Sequence, residues 1–170
     1  MAPIRAICYH DGMQREKHHF RIRRIVSGGQ TGVDRGALDA AISLGLEHGG
    51  WCPRGRLAED GVIPRRYRLR QTKSADYPTR TEQNVLDSDG TLILYRQRLY
   101  GGTELTRRLA EKHGKPYFLV DLDQTVDLQP VRRWIDDQAI AVLNVAGPRE
   151  SSSPGIACEA REFMAALLAS

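Results

Sequence analysis

A short stretch at residues 27–32, SGGQTG, combines three glycines with hydroxyl and amide side chains directly after an apolar run. A helical pattern begins immediately after it. A glycine turn that joins a strand to a helix places backbone N–H groups at the helix N-terminus, where partial positive charge favours an anion. The stretch fits neither G-x-G-x-x-G nor the phosphate loop G-x-x-x-x-G-K-[ST], so it predicts an anion site without specifying a dinucleotide. Its candidate binding residues are Ser27, Gly28, Gly29, Gln30, Thr31 and Gly32.

Two further glycine turns repeat this design after later apolar runs. In YGGTEL, the residues Gly101, Gly102 and Thr103 would present N–H groups and a hydroxyl at a helix start, and Thr103 also fits an N-cap. The stretch NVAGPRESSSPG would complete a pocket or serve as a structural loop before Pro154. Its candidate binding residues are Asn144, Gly147, Arg149 and Ser151.

Residues 51–60, WCPRGRLAED, add an aromatic ring and charged groups. Trp51 is either a core residue or a surface for a flat heterocycle. Arg54 and Arg56 would hold acidic oxygens of a ligand. Asp34 lies just inside the first helical pattern. It has either a structural role, because the helix dipole favours a carboxylate there, or a role in orienting a ligand group. The pattern favours the structural role.

The elements that must position these residues alternate between strand and helix. Apolar runs predict strands over 22–26, 91–96, 116–122 and 139–147, and helical spacing predicts helices over 32–46, 80–90, 99–116, 128–138 and 154–170. Residues 47–81 lack a clear period and read as a long irregular segment. The strands are continuous apolar runs, which indicates an α/β fold with a mostly parallel sheet covered by helices on both faces. Ligands of such folds lie at the carboxyl ends of the strands, where all three glycine turns fall.

Composition limits the classes of protein that the chain can be. With 170 residues, 41% hydrophobic and 27% charged, it suits one domain, which we place at 22–170 behind a polar N-terminal extension at 1–21. No apolar run reaches 18 residues and no signal peptide is recognisable, so we expect a cytoplasmic protein without a membrane span. The three cysteines and five histidines show no ligand spacing, so no metal site built directly from protein ligands is predicted.

An arginine-rich stretch at 54–70 accompanies the net charge of +4. Guanidinium groups suit phosphate and carboxylate oxygens, so the stretch would face an acidic ligand or nucleic acid, or simply cover a solvated surface. Aromatic residues for base stacking are sparse there. Nucleic-acid binding is therefore the least favoured of the functions considered.

Six blocks together resemble the molybdenum carrier family: SGGQTGVDRGALDAA, GGWCPRGRLAEDG, RTEQNVLDSDGTLIL, GGTELT, KPYFLVDL and LNVAGPRESSSPGI. They occur in order over about residues 22–169. That family is similar to the molybdenum cofactor carrier proteins, within the superfamily that includes the LOG enzymes and the DNA-processing protein Smf/DprA. The resemblance implies a Rossmann-like three-layer domain, a site for the phosphorylated molybdopterin of the molybdenum cofactor, homodimers or homotetramers, and molybdoenzymes or cofactor-synthesis proteins as partners. The metal would be held by the dithiolene of the cofactor.

The resemblance to the LOG enzymes leaves hydrolysis of nucleoside 5'-monophosphates at the glycosidic bond as an alternative function. The LOG motif is PGGxGTxxE, with its glutamate further along the helix than Glu104, which here directly follows Thr103. One position on a helix turns a side chain by about 100°. Glu104 is therefore a catalytic candidate only if the protein is an enzyme, and the sequence favours a binding protein.

The terminal helical pattern carries a broad apolar stripe. Such a stripe is first of all a core face, although related carriers associate and a closed oligomer buries a self-complementary patch. We expect at least a dimer. The stripe consists of Ile156, Ala160, Phe163, Met164, Leu167 and Leu168.

Overall fold

The computed structural model of the chain describes residues 22–169, so the extension predicted at 1–21 lies outside the described residues. Its strands are β1 (Arg24–Val26), β2 (Glu47–Gly49), β3 (Trp51–Cys52), β4 (Leu57–Ala58), β5 (Gly61–Val62), β6 (Arg70–Gln71), β7 (Gly90–Tyr95), β8 (Tyr117–Asp121) and β9 (Val142–Ala146). Its helices are α1 (Val33–Ser43), α2 (Tyr77–Leu86), α3 (Gly101–Lys112), α4 (Leu128–Asp137) and α5 (Ile156–Leu168).

Five strands form one parallel sheet in the order β2-β1-β9-β7-β8. Three consecutive residues of β7, Leu92, Ile93 and Leu94, have no exposed surface. Side chains on both faces of that strand are therefore covered, which explains why its sequence is a continuous apolar run rather than an alternating one. The predicted α/β class with a parallel sheet is confirmed.

Helices cover the sheet on both faces. The main apolar cluster joins strand residues such as Ile25 and Leu143 to α1, α4 and α5, whereas a smaller cluster joins α2 and α3 through Val85, Leu109 and Ala110. This division follows from the right-handed crossovers that join parallel strands. A crossover towards one edge of the sheet places its helix on one face, and a crossover towards the other edge places its helix on the opposite face. The result is a three-layer domain.

The apolar stripe of α5 is a core face. Ile156, Ala160, Met164 and Leu167 are fully buried, Phe163 is 9% exposed, and all five belong to the main cluster. Leu168 is partly buried against the same cluster. The stripe is therefore used within the chain and does not by itself support the expected dimer.

The segment predicted as irregular, 47–81, holds more structure than its sequence indicates. β2 extends the main sheet, while β3 pairs with β6 and β4 with β5 in two small additional sheets. Strands of two or three residues are too short to show a period. Helix α2 begins at Tyr77, before the predicted residue 80, because the Asp76 carboxylate accepts the Thr79 N–H and a proline follows in the first turn.

The strand order matches that of a doubly wound sheet when the strands are numbered from β9 instead of from β1. If β9 is counted first, then β1, β2, β7 and β8 become the second to fifth strands, and the order reads 3-2-1-4-5. Its switch point lies where β9 and β7 are neighbours. A ligand cleft is therefore expected beyond the carboxyl ends of these two strands.

Candidate functional site

A cleft of about 450 Å³ opens at this switch point. That volume lies within the range of roughly 300–1,000 Å³ typical of small-molecule sites. Four segments form its walls: the turn before α1, the first turn of α2, the first turns of α3, and the loop after β9. The lining residues are Gln30, Asp34, Tyr77, Pro78, Arg80, Thr81, Tyr100, Gly101, Gly102, Thr103, Leu105, Thr106, Ala146, Gly147, Pro148, Arg149 and Ser152.

The fold brings part of the predicted site together at this cleft. One member or more of each glycine turn lines it, although the turns are far apart in sequence. Two other predicted residues, Gly28 and Asn144, line an adjoining cavity of about 10 Å³ that shares Asp34 and Arg80 with the cleft. The predicted residues on the main cleft are Gln30, Gly101, Gly102, Thr103, Gly147 and Arg149.

Other predicted residues in the glycine turns do not line either cavity, and most of them have structural contacts. The Ser27 hydroxyl donates to the Val145 carbonyl at 2.6 Å. Thr31 and Ser151 both donate to the Glu59 carboxylate. Gly29 lies against Leu69, and Gly32 lies so close to the Pro148 carbonyl, with φ of +79°, that only glycine fits without strain.

The residues predicted at 51–60 also lie away from the cleft. The Trp51 indole donates to Asp87 Oδ2 at 2.6 Å. The Arg56 guanidinium donates to the carbonyls of Ile63, Pro64, Tyr67 and Leu69, so its donors are used within the fold. Arg54 is exposed. The arginine-rich stretch therefore combines Arg56, whose donors are used within the fold, with exposed arginines, of which Arg66 pairs with Asp39.

The N-terminus of α3 is open towards the cleft. Its N-cap residue, Tyr100, makes no side-chain capping bond, and its carbonyl accepts the N–H groups of Thr103 and Glu104 at 3.2 and 3.3 Å. The N–H groups of Gly101 and Gly102 have no acceptor among residues 22–169. Both glycines are exposed. These two N–H groups are therefore available to an anion.

Acceptors of the protein itself contact N–H groups at the starts of α5 and α1, the helices that follow the other two glycine turns. At α5, the Glu150 carboxylate accepts the N–H groups of Gly155 and Ala157. At α1, the Gln30 N–H donates to Asp34 Oδ2 at 3.2 Å, and the Val33 N–H donates to the Pro148 carbonyl at 3.2 Å. In the turn before α1 the N–H groups of Gly28, Gly29 and Gly32 also have no acceptor among residues 22–169, but these three glycines are buried. The turn before α3 differs because its unbonded N–H groups belong to exposed residues.

Two guanidinium groups of the cleft wall lie beside the same aromatic ring. The Cζ atoms of Arg80 and Arg149 are 5.5 and 5.6 Å from the centre of the Tyr77 ring. The Tyr77 hydroxyl accepts a hydrogen bond from the Gln30 amide at 3.2 Å. Gly28 makes room for this arrangement, because a Cβ there would lie 1.5 Å from Arg80 Nη1.

Sequence reasoning missed Tyr77 and Arg80. Both lie in the first turn of α2, and residues three apart share one face of a helix. The signal that was available is the Asp76 N-cap followed by proline, which moves the start of α2 back to residue 77 and places both side chains at a helix N-terminus. The position of α2 in the fold directs the side chains of Tyr77 and Arg80 towards the cleft.

Asp34 and Arg80 form a buried pair at the inner end of the cleft. Arg80 Nη1 lies 3.1 Å from Asp34 Oδ2, and their side chains are 14% and 5% exposed. Burial raises the pKa of Asp34, while the charge of Arg80 and the Gln30 N–H act in the opposite direction. Asp34 therefore has the structural role that the sequence favoured, and it also lines the cleft.

Glu59 connects the β4–β5 hairpin to two of the glycine turns. It accepts hydrogen bonds from the Thr31 hydroxyl and from the hydroxyl and N–H of Ser151, and it lies 3.9 Å from Arg149. Burial opposes its ionisation, yet the hydrogen bonds from Ser151 and Thr31 lower its pKa below the usual value. The carboxylate thus fixes the loop that carries Arg149.

Glu104 does not line the cleft. Its carboxylate pairs with Arg107 at 2.6 Å and with Arg108 at 2.9 Å on its own helix. Hydrogen bonds from these arginines lower the pKa of Glu104 to about 2. A carboxyl group with that pKa is poorly suited to acid–base catalysis near neutral pH.

Within residues 22–169, no helix is long and apolar enough to span a membrane. No cluster of histidine, cysteine, aspartate or glutamate in the same range could hold a metal ion.

Comparison with known proteins gives two matches. The sequence model of the circularly permutated YpsA SLOG family matches residues 25–168. A crystal structure from Syntrophus aciditrophicus SB at 1.45 Å resolution, named "Putative molybdenum carrier protein", superposes with a TM-score of 0.85 and is 45% identical in sequence. The match covers 87% of this chain and 96% of that one. No curated protein matches the chain.

Proposed function

This chain belongs to the circularly permutated YpsA SLOG family, and from that premise we propose that it is a carrier that binds a phosphorylated small molecule in the cleft. The family and the Rossmann-like fold are those expected from the sequence. The ligand that we propose is the molybdenum cofactor, because the similar protein from Syntrophus aciditrophicus SB is named a molybdenum carrier.

The open N-terminus of α3 is the observation that carries this proposal. The N–H groups of the exposed Gly101 and Gly102 lie at the N-terminus of α3, where the helix dipole is positive. No side chain caps this helix. A phosphate group is a natural acceptor for such N–H groups. A Cβ at Gly102 would meet no heavy atom within 4 Å, so packing does not require glycine there. The absent side chain leaves room for a ligand to approach the backbone.

The rest of the cleft fits the remainder of such a ligand. Arg149 and Arg80 supply positive charge, and the rings of Tyr77 and Tyr100 supply flat apolar surface. The molybdenum cofactor carries its metal on a dithiolene of its own. The protein therefore has to supply contacts to phosphate and to the ring system, and these residue types are present.

The proposal is tested by the lifetime of released molybdenum cofactor mixed with the purified protein. We expect the cofactor to survive longer than it does with an unrelated protein of equal concentration. Arg149→Ala should reduce the protection by removing a charge from the cleft, whereas Arg54→Ala, an exposed arginine outside the cleft, should not. Equal lifetimes with this chain and with the unrelated protein would refute the carrier function.

A carrier must receive its ligand from one protein and deliver it to another. We therefore propose proteins of cofactor synthesis and molybdoenzymes as its partners. Transfer of cofactor from the loaded protein to an apo-molybdoenzyme, measured as recovered enzyme activity, tests this part of the proposal.

The alternative of a LOG-like hydrolase depends on Glu104, the carboxylate that the resemblance suggests for it. Glu104 is held by two arginines and lies off the cleft lining. Release of adenine from AMP that disappears in Glu104→Ala would nevertheless establish that activity. DNA binding through exposed arginines of 54–70 would show itself as an affinity that falls steeply with salt.

A further inference from the structure

The cleft holds one acidic group at its inner end, and the proposed phosphate site does not need it. Asp34 is 4% exposed and lines both the cleft and the small adjoining cavity. The exposed Gly101 and Gly102 lie nearer the surface. A phosphate at α3 would leave Asp34 to face another part of the ligand, since a carboxylate and a phosphate repel each other.

The two contacts of this carboxylate with Gln30 and Arg80 use one of its oxygens. Both the Gln30 N–H and Arg80 Nη1 are bonded to Oδ2, at 3.2 and 3.1 Å. The Ser27 hydroxyl also lies near the carboxylate, but it donates its proton to the Val145 carbonyl. Oδ1 therefore accepts no hydrogen bond from Gln30 or Arg80 and can accept one from a ligand. Arg80 Nε, on the other member of the pair, is a buried atom without a hydrogen-bond partner among residues 22–169. A buried polar atom without a partner is costly, so a ligand that offers an acceptor to Arg80 beside a donor to Asp34 would be favoured there.

The surroundings select the kind of donor. Arg80 and Arg149 both lie beside the cleft, and the N-terminus of α3 adds partial positive charge. A cationic amine would be repelled by these groups. A neutral N–H group on a ring can reach the carboxylate without that repulsion, and Tyr77 and Tyr100, 37% and 42% exposed, offer aromatic surface to the ring.

We infer that Asp34 recognises the amino group of a flat heterocycle, so that the cleft prefers a phosphorylated ligand with an amino-oxo ring edge, as in guanine and pterin, over the same ligand without the amino group. Arg80 Nη2, which has no acceptor among residues 22–169, is available to the neighbouring ring oxygen. This inference rests on the proposed function, because it assumes a phosphorylated ligand in the same cleft.

Guanosine 5'-monophosphate and inosine 5'-monophosphate are suitable probes, since they differ in the amino group alone. Titration calorimetry on the full chain should show guanosine monophosphate binding roughly 10- to 100-fold more tightly, as expected for a hydrogen bond to a charged acceptor. This comparison uses the unaltered protein and so does not depend on whether a variant folds.

Asp34→Asn should bring the ratio of the two affinities close to one. Asp39→Asn is the matched control, because Asp39 lies on the same helix and contacts Arg66 and Tyr67 away from the cleft. Equal binding of the two nucleotides by the unaltered protein, or an unchanged ratio in Asp34→Asn, overturns the inference and leaves the proposed function standing. If neither nucleotide binds, both the inference and the proposed phosphate site are overturned.

Discussion

Two glycines at the cleft serve different purposes. Gly28 is required by packing, since a Cβ there would collide with the guanidinium of Arg80 and approach Asp34 Oδ2 to 2.9 Å. Gly102 has no such constraint, because a Cβ there would meet open space. Glycine in a helix costs stability compared with alanine. A residue that weakens the helix and contacts nothing is therefore best explained by the molecule that approaches it.

Replacing Gly102 by alanine should separate folding from binding. We expect the free energy of unfolding to rise by about 0.5 kcal/mol, because alanine restricts the unfolded chain and favours helix. Protection of molybdenum cofactor should fall, because the new methyl group occupies space at the open N–H groups. Urea unfolding and the cofactor lifetime measure the two effects. A stabler protein that protects the cofactor as well as before would count against a phosphate at α3.

The helices differ in how their ends are satisfied. Glu150 caps α5 and Asp34 accepts an N–H group in the turn before α1, whereas α3 keeps two N–H groups for a ligand. Helix α3 instead uses its acidic residue within itself, since Glu104 pairs with Arg107 and Arg108 three and four positions later. Such pairs stabilise a helix modestly.

The pairs of Glu104 predict how stability depends on pH. Their hydrogen bonds lower the pKa of Glu104 from the ordinary 4.5 to about 2, so the folded state favours the ionised carboxyl group. This contribution is present above the unfolded pKa and is lost as pH falls from 4.5 towards 2. Glu104→Gln should therefore lose less stability than the unaltered protein over this acidic range.

Urea unfolding on both sides of that pH window measures this difference. Glu162→Gln, an exposed glutamate on α5, is the control and should behave like the unaltered protein. Identical acid dependence of the unaltered protein and of Glu104→Gln would show that the pairs with Arg107 and Arg108 do not matter for folding.

The strand order of the whole domain has a consequence for where its chain ends lie. Helix α5 follows the central strand β9 and runs back to the amino edge of the sheet, where β1 begins. Leu167 and Ile22 belong to the same apolar cluster, and Arg132 of α4 donates to the carbonyls of Ala166 and Ala169. Both ends of the described chain therefore pack against the same apolar cluster.

A rearranged chain should consequently fold. We predict that joining residue 169 to residue 22 by a short glycine–serine linker, and opening the chain between the exposed Gln138 and Ala139, gives the order 3-2-1-4-5 directly and a native fold. The far-ultraviolet circular dichroism spectrum and a cooperative thermal transition test this outcome. An unfolded product would show either that the ends do not meet or that residues 1–21, which this chain omits, are needed.

The state of association is the second prediction for the whole molecule. We predict at least a dimer, on the basis of the family resemblance, and a tetramer is compatible with it. The apolar stripe of α5 is buried within the chain, so exposed apolar residues elsewhere, such as Leu57 and Val62 on the β4–β5 hairpin, are the candidates for a contact. Light scattering at micromolar concentration should give at least twice 19.1 kDa, and a mass of one chain would contradict the prediction.

The amino-acid sequence by itself determined the features that depend on neighbouring residues. Continuous apolar runs predicted β1, β7, β8 and β9, helical spacing predicted all five helices, and the glycine turns marked the edge of the sheet where the cleft lies. These predictions hold because strand and helix patterns are local. The short strands between 47 and 71 were missed because they have two or three residues and lie in no continuous apolar run.

Tertiary structure alone decided which helix start is exposed at the cleft and which side chains face it. Asp34 and Arg80 are 46 positions apart, and they meet because the crossover between strands brings α2 beside the start of α1. Glu150 closes α5, Asp34 accepts an N–H group before α1, and α3 is left with free N–H groups. Each polar group can bond to its neighbours, to a distant residue or to a ligand, and packing of the whole chain determines which of these partners lies within reach.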